Sequence, residues 1–141
     1  MVGFLNYYGG TIYIGIKETK NKIRRVVGMS LNEKEKEDAM ISIRQICKKV
    51  YPDIVLIKMY KIKFVPIKNY NGQYVRGKYV VKILVEIGKP KELYYYQVNP
   101  ESCRVCFRTE NEVLVRNPAI ELCKIMEFYK NRSENPLKSR K

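Results

Sequence analysis

Residues 4–18 read FLNYYGGTIYIGIKE, and more of the architecture follows from this segment than from any other. Residues 1–8 are typical of the end of a helix, because Gly9-Gly10 can adopt the left-handed backbone that terminates one. Residues 11–16 follow as a strand rich in β-branched and aromatic side chains, apolar on both faces apart from Thr11. This pattern predicts a central strand that is covered on two sides.

The next segment predicts a hairpin and then a helix. Residues 17–22 form a polar turn, and residues 23–29 return as an antiparallel strand. Ser30 and Glu33 have the spacing of a capping box, in which each side chain bonds the other residue's backbone N–H, so a helix begins there. Apolar residues then recur at helical spacing at Ala39, Ile43, Ile46 and Val50.

The remainder of the chain alternates between strands and turns. Residues 53–67 have the period of a half-buried strand, and Asn71-Gly72 marks a hairpin that leads into a strand at residues 79–87. Lys61 and Lys63 face outward in the first of these strands, opposite Tyr60, Ile62 and Phe64. Short strands are predicted at residues 93–98 and 105–108, followed by a last helix that begins at Asn117-Pro118.

These elements predict an α+β fold. We expect a single domain at residues 1–130, with one mixed and mostly antiparallel sheet of about five or six strands packed with about two or three helices. Residues 131–141 are polar and basic, and we expect them to form a disordered tail.

The charge balance points to a polyanionic partner. The chain has 28 Lys and Arg against 14 Asp and Glu, a formal net charge of +14. Nucleic acid is favoured over a membrane surface because the basic residues are spread through strands and loops, whereas a membrane-surface helix would concentrate them beside one apolar face. The alternative is that the charge serves solubility alone. With no signal peptide or membrane span in the sequence, we expect a cytoplasmic or nuclear location.

Basic residues interleaved with tyrosines favour single-stranded RNA, because cations contact phosphates while aromatic rings stack on bases. The candidate phosphate contacts are Arg24, Arg25, Lys61, Lys63, Arg76 and Lys78.

The four cysteines and the lack of histidine limit the chemistry of the chain. Cys103 and Cys106 have the spacing of half a zinc site, but the only other soft ligands are Cys47 and Cys123, which lie at apolar helix positions typical of core residues. We therefore expect no zinc site. Since the chain has no histidine, hydrolytic triads that depend on one are excluded.

Residues 4–18, followed by Val26-Val27-Gly28, resemble the signature of the AlbA-like domains of the Schlafen family. That signature joins an aromatic-Ala-Asn helix end to a Gly-Gly pair, an apolar strand and a Gly-hydrophobic-x-acidic turn. Residues 105–110, with Pro118 after them, resemble the family's closing pattern of an aromatic-Arg strand before a helix. The resemblance implies an AlbA-like core that acts on or binds nucleic acid.

For the nucleases of this family, the resemblance implies RNA cleavage by three carboxylates with Mg²⁺ or Mn²⁺. Two come from an E-x-x-x-x-E segment ahead of the helix, and one from the acidic position of the turn. Of these three carboxylates only the one in the turn has a match in this sequence, Glu18, which stands where the family has Asp. The upstream pair would lie before Met1, so we expect the family's first strand to be missing. One carboxylate holds a divalent cation too weakly to make the site alone. Glu18 is the candidate catalytic and metal-binding residue; the alternative is a solvated acid in the polar turn.

Three functional hypotheses remain open on the sequence. The first is an RNA-binding domain of an RNA-processing endoribonuclease, one that binds tRNA or single-stranded RNA but lacks a complete carboxylate set. The second is an active metal-dependent endoribonuclease, completed by a second Schlafen-like chain or by an N-terminal segment. The third is an AlbA-like DNA- or nucleotide-binding regulatory module.

Overall fold

The computed structural model of the chain describes residues 1–89, 92–108 and 113–116, together with residues 121, 123, 125–127 and 130. Its elements are α1 (Val2–Leu5), β1 (Gly10–Ile14), β2 (Ile16–Glu18), β3 (Arg24–Val26), β4 (Met29–Ser30), α2 (Glu33–Cys47), β5 (Val50–Tyr51), β6 (Tyr60–Lys68), β7 (Tyr74–Val85), β8 (Tyr95–Asn99), β9 (Ser102–Arg108) and β10 (Val113–Arg116). The described residues between 121 and 130 are also helical. The expected helix start at Asn117-Pro118 and the tail at residues 131–141 lie outside the described residues.

The prediction of an α+β fold with mostly antiparallel strands is confirmed, but the strands form several sheets instead of one. β1, β4, β6 and β7 make the first sheet, and β10, β9, β8 and β5 follow one another in a second. β2 and β3 pair as a separate hairpin. The sequence predicts the antiparallel return at residues 23–29, but as the partner of the strand at residues 11–16 and after a turn at residues 17–22, whereas Lys17 and Glu18 belong to β2. β10 was not expected from the sequence.

The expectation that residues 11–16 form a central strand is wrong. β7 is the centre of the first sheet, with β6 along one side and β1 and β4 sharing the other. β1 has β7 as its only neighbouring strand in the described part of the chain, and Tyr13 and Ile14 are 49 % and 40 % exposed. β7 is longer than β1 and carries more buried side chains, as expected of the strand that has neighbours along both of its sides.

The main core lies on one face of the first sheet, called here the inner face. Val81, Ile83 and Val85 of β7 pack there with Leu5 of α1 and with Tyr94. α2 covers the same face through Ile43. α1 and α2 therefore lie on the inner face of the first sheet.

Two predictions about α2 need correction. Its capping box consists of Asn32 and Glu35, two residues after the predicted pair, because Ser30 belongs to β4 and its backbone pairs with β7. Ile46 is 66 % exposed and does not belong to the buried stripe, since Cys47 lies one helical turn after Ile43 and takes the inward position.

The buried Tyr60 makes the fold less stable as the pH rises through the alkaline range. Its side chain is 4 % exposed. Burial, with the neighbouring Cys47 thiol, raises the pKa of Tyr60 from 10.0 to about 12. Between these two values the unfolded chain releases the phenol proton while the folded chain keeps it, so the free energy of unfolding falls as pH rises.

We expect Tyr60→Phe to flatten this fall above about pH 10. Urea unfolding of both proteins across this range would measure it, with Tyr70→Phe as the matched control because Tyr70 is 97 % exposed. An equal pH dependence in Tyr60→Phe and in the unmodified chain would contradict the assignment.

Candidate nucleic-acid interface

The outer face of the first sheet carries a row of basic side chains. Successive residues of a strand point to opposite faces, so the burial of Val81, Ile83 and Val85 turns Lys82 and Leu84 outward. We call this surface the open face; its members are Thr11, Tyr13, Lys61, Lys63, Val65, Lys78, Lys82 and Leu84, with the buried Val80 between Lys78 and Lys82 on β7.

Lys63 of β6 lies directly opposite Lys82 of β7, which in turn lies directly opposite Tyr13 of β1. The Lys82 ammonium is 5.8 Å from the centroid of the Tyr13 ring, within the range of a cation–π contact. No carboxylate lies within 4.0 Å of either lysine among the described residues. Like charges directly opposite each other destabilise a sheet, so this pair is suited to binding an anion between them.

Two further lysines extend the basic row along the open face. Lys61 lies two positions before Lys63 on β6, which places the two side chains about 7 Å apart along the strand. Its ammonium is 4.0 Å from the Glu86 carboxylate, and both side chains are about half exposed, so the pair is screened by solvent. Lys78 continues the row on β7, where it pairs with Ser30 of β4.

The remaining predicted residue of β7, Arg76, lies near the tip of the β6–β7 hairpin. Gly77 has a positive φ of 68°, and the register between the strands shifts between Pro66 and Lys68. Arg76 lies beyond this irregularity, so strand alternation does not assign it to the open face. Near the same tip, the Lys68 ammonium is 4.9 Å from the Tyr74 ring centroid.

The hairpin of β2 and β3 separates the two predicted arginines. Arg24 pairs with Glu18 on one face, with the guanidinium Nε 3.2 Å from the carboxylate, and both side chains are more than half exposed. Arg25 pairs with Lys17 on the other face. Arg25 and Lys17 therefore repeat the like-charged arrangement of the open face, whereas Arg24 is partly neutralised.

The surroundings of Glu18 do not fit a catalytic metal ion. It is the last residue of β2 and not part of the turn, and a guanidinium already occupies its carboxylate. Within the described ranges, no three Asp, Glu, Cys or His side chains come together as a set of metal ligands. Mg²⁺ needs several oxygen ligands in octahedral geometry, and Glu18 supplies too few.

The cysteines differ in their burial and in the elements that carry them. Cys103 and Cys106 are three positions apart on β9, and an odd separation along a strand places side chains on opposite faces. Cys47 is buried as expected, whereas Cys123 is exposed and is not the core residue expected from its apolar spacing. Burial raises the pKa of both the Cys47 and the Cys106 thiols, which keeps them protonated.

The open face thus unites three of the six predicted phosphate contacts, Lys61, Lys63 and Lys78. Arg24 and Arg25 lie on the separate β2–β3 hairpin, and Arg76 lies near the tip of the β6–β7 hairpin. Sequence reasoning missed Lys82 and Tyr13, which occupy the centre of this face. The signal for Lys82 was its position between Val81 and Ile83, since a charged residue inside an apolar strand must point outward.

Comparisons with known proteins identify one family. The family model described as Schlafen, AlbA_2 matches residues 1–118, which is most of the chain. No curated protein shows a significant match. None of the helices in the described part of the chain has the length and apolar composition that a membrane span requires.

Proposed function

The chain belongs to the Schlafen AlbA_2 family, and from this premise we propose that it is an RNA-binding domain of an RNA-processing system that does not itself complete a nuclease site. The observation that carries the proposal is the Lys63–Lys82 pair on the open face, with Tyr13 beside it. A cytoplasmic or nuclear location is consistent with such a role.

Phosphate is the ligand that this pair favours. Two ammonium groups on adjacent strands repel each other, and a phosphate between them turns that repulsion into two charge-assisted hydrogen bonds. Lys61 and Lys78 extend the positive potential in both directions along the sheet, which suits a chain of phosphates better than a single small anion.

Tyr13 favours a single strand over a duplex. Its ring lies next to Lys82 and is half exposed, so a base can stack on it while the adjacent phosphate contacts the lysines. Bases in a regular duplex are already stacked on one another, whereas those of single-stranded RNA and of tRNA loops are available for this contact.

Cleavage is the weaker expectation because Glu18 is paired with Arg24 and lacks carboxylate neighbours among the described residues. In the alternative, where a second Schlafen-like chain supplies the missing carboxylates and Mg²⁺ or Mn²⁺ is bound between the chains, Glu18 would have to leave Arg24.

The test is a binding and cleavage assay with labelled single-stranded RNA, tRNA and duplex DNA, with and without Mn²⁺, across a salt series. We expect binding to both RNAs that weakens steeply as salt rises, with weaker binding to the duplex and no cleavage. Glu18→Gln should bind RNA no more weakly than the unmodified chain, because it removes a negative charge beside Arg24.

Each contrary outcome has a defined meaning. Lack of RNA binding at low salt would contradict the proposal, and preference for duplex DNA would favour the regulatory alternative. Manganese-dependent cleavage that Glu18→Gln abolishes would show that the chain is a nuclease.

A further inference from the structure

Within the part of the chain that the structure describes, the outer edge of β1 has no partner strand and carries no lysine, proline or bulge. β1 pairs with β7 in continuous register from Gly10 to Ile14, and no other strand pairs with it in the described part of the chain. Every second residue of an antiparallel edge strand directs its N–H and C=O away from its neighbour. Residues 10–14 include no charged residue, no proline and no bulge.

The opposite edge of the same sheet, formed by β6, has features that prevent another strand from pairing with it. β6 carries Lys61, Lys63 and Lys68, contains Pro66, and has an irregular register between Pro66 and Lys68. Lysine, proline and bulges are the devices by which proteins prevent another strand from pairing with an edge. Since one edge of this sheet is protected and the other is not, the β1 edge is suited to receiving a strand.

The side chains of β1 specify what that strand must look like. Ile12 and Ile14 point to the inner face, where Ile12 packs against the core and Ile14 remains 40 % exposed. Thr11 and Tyr13 point to the open face beside Lys82. A strand added next to β1 would therefore need apolar residues on the inner face, opposite Ile12 and Ile14. On the open face its direct neighbours would be Thr11 and Tyr13, and the Lys82 ammonium lies 5.8 Å from the Tyr13 ring, so a long acidic side chain there would come near a positive charge.

We propose that the β1 edge binds an extended segment of a partner protein, added as a strand, with apolar residues alternating with carboxylates. Main-chain hydrogen bonds would hold the segment, and the alternation would select it. A second copy of this chain fits less well, because β1 itself has no carboxylate to offer and each copy carries a net charge of +14. This inference does not depend on RNA binding.

The test uses a short labelled peptide that alternates valine with glutamate, added to the full chain, with a valine–lysine peptide as the control. Amide hydrogen exchange at residues 11–14 is the readout. We expect the acidic peptide to slow exchange about tenfold or more at alternate residues of this segment, and the control peptide to have no effect.

Ile14→Lys separates strand addition from simple attraction of opposite charges. The substitution adds a positive charge, so nonspecific attraction of the acidic peptide would become stronger. Strand addition would become weaker, because the lysine places a charge where the added strand needs an apolar neighbour. We expect weaker binding.

Four results would overturn the proposal. The informative amides are those of residues 11–14 that point away from β7. The four results are unchanged exchange of these amides when the acidic peptide is added, tighter peptide binding by Ile14→Lys, slow exchange of the same amides in the free chain at every concentration, and exchange that slows with chain concentration without peptide. The last result would mean that two copies pair through this edge.

Discussion

Asn6→Ala is expected to lower the free energy of unfolding by about 3 to 5 kcal/mol. Asn6 is fully buried and lies at the end of α1. Its Nδ2 donates to the carbonyl oxygens of Tyr94 and Cys106 at 2.6 and 3.1 Å, and its Oδ1 accepts from the Tyr94 N–H at 2.8 Å. Alanine would leave these backbone groups without the partner that satisfies them in a site closed to water.

Urea unfolding followed by circular dichroism would measure this loss, with Asn21→Ala as the matched control. Asn21 is exposed in the turn between β2 and β3, so its replacement should change stability by less than about 0.5 kcal/mol. Similar losses in the two variants would show that the Asn6 network contributes nothing beyond an ordinary surface residue.

Asn6 also shows the limit of what the sequence could predict. Its place ahead of Gly9-Gly10 was part of the resemblance to the Schlafen signature, but nothing near it in the sequence identifies its partners. Tyr94 and Cys106 are 88 and 100 residues away. The hydrogen bonds of a buried side chain that joins distant segments depend on how the whole chain packs. The local spacing of apolar residues does not predict them.

Local patterns were reliable where one face of an element is buried and the other is not. The alternation of Tyr60, Ile62 and Phe64 with Lys61 and Lys63 assigned the two faces of β6 correctly. Local sequence patterns did not determine whether a strand lies at the centre or at the edge of its sheet. β1 reads as a buried strand because both of its faces are apolar, yet it lies at an edge of the described sheet.

The centre of the candidate site escaped prediction because it depends on an irregularity in register. Continuing the pairing of Lys68 with Tyr74 along the hairpin would place Lys63 opposite Tyr79, which faces inward. The shift between Pro66 and Lys68 instead places Lys63 opposite Lys82. Asn71-Gly72 predicts the turn, but it does not predict a displacement of one strand against the other beyond it.

Replacing both Lys63 and Lys82 with glutamine is expected to weaken binding of single-stranded RNA about 100-fold, since each lost charge-assisted contact contributes roughly 1.5 kcal/mol. The slope of log affinity against log salt should become shallower by about 1.4, because fewer counterions are released when two phosphates are no longer neutralised. Filter binding across a salt series would measure both quantities.

The matched control replaces Lys34 and Lys48 with glutamine. It removes the same net charge from α2 and from the residue that caps its C-terminus, and α2 packs on the inner face of the sheet, away from the open face. If binding depended on net charge alone, the two double variants would lose affinity equally.

The free energy of unfolding separates a local effect on binding from damage to the fold. Removing two lysines that repel each other should leave this free energy unchanged or raise it by a few tenths of a kcal/mol. We expect the Lys63 and Lys82 double variant to bind RNA more weakly without losing stability, and the Lys34 and Lys48 double variant to bind RNA normally. Only a phosphate site at Lys63 and Lys82 explains this combination.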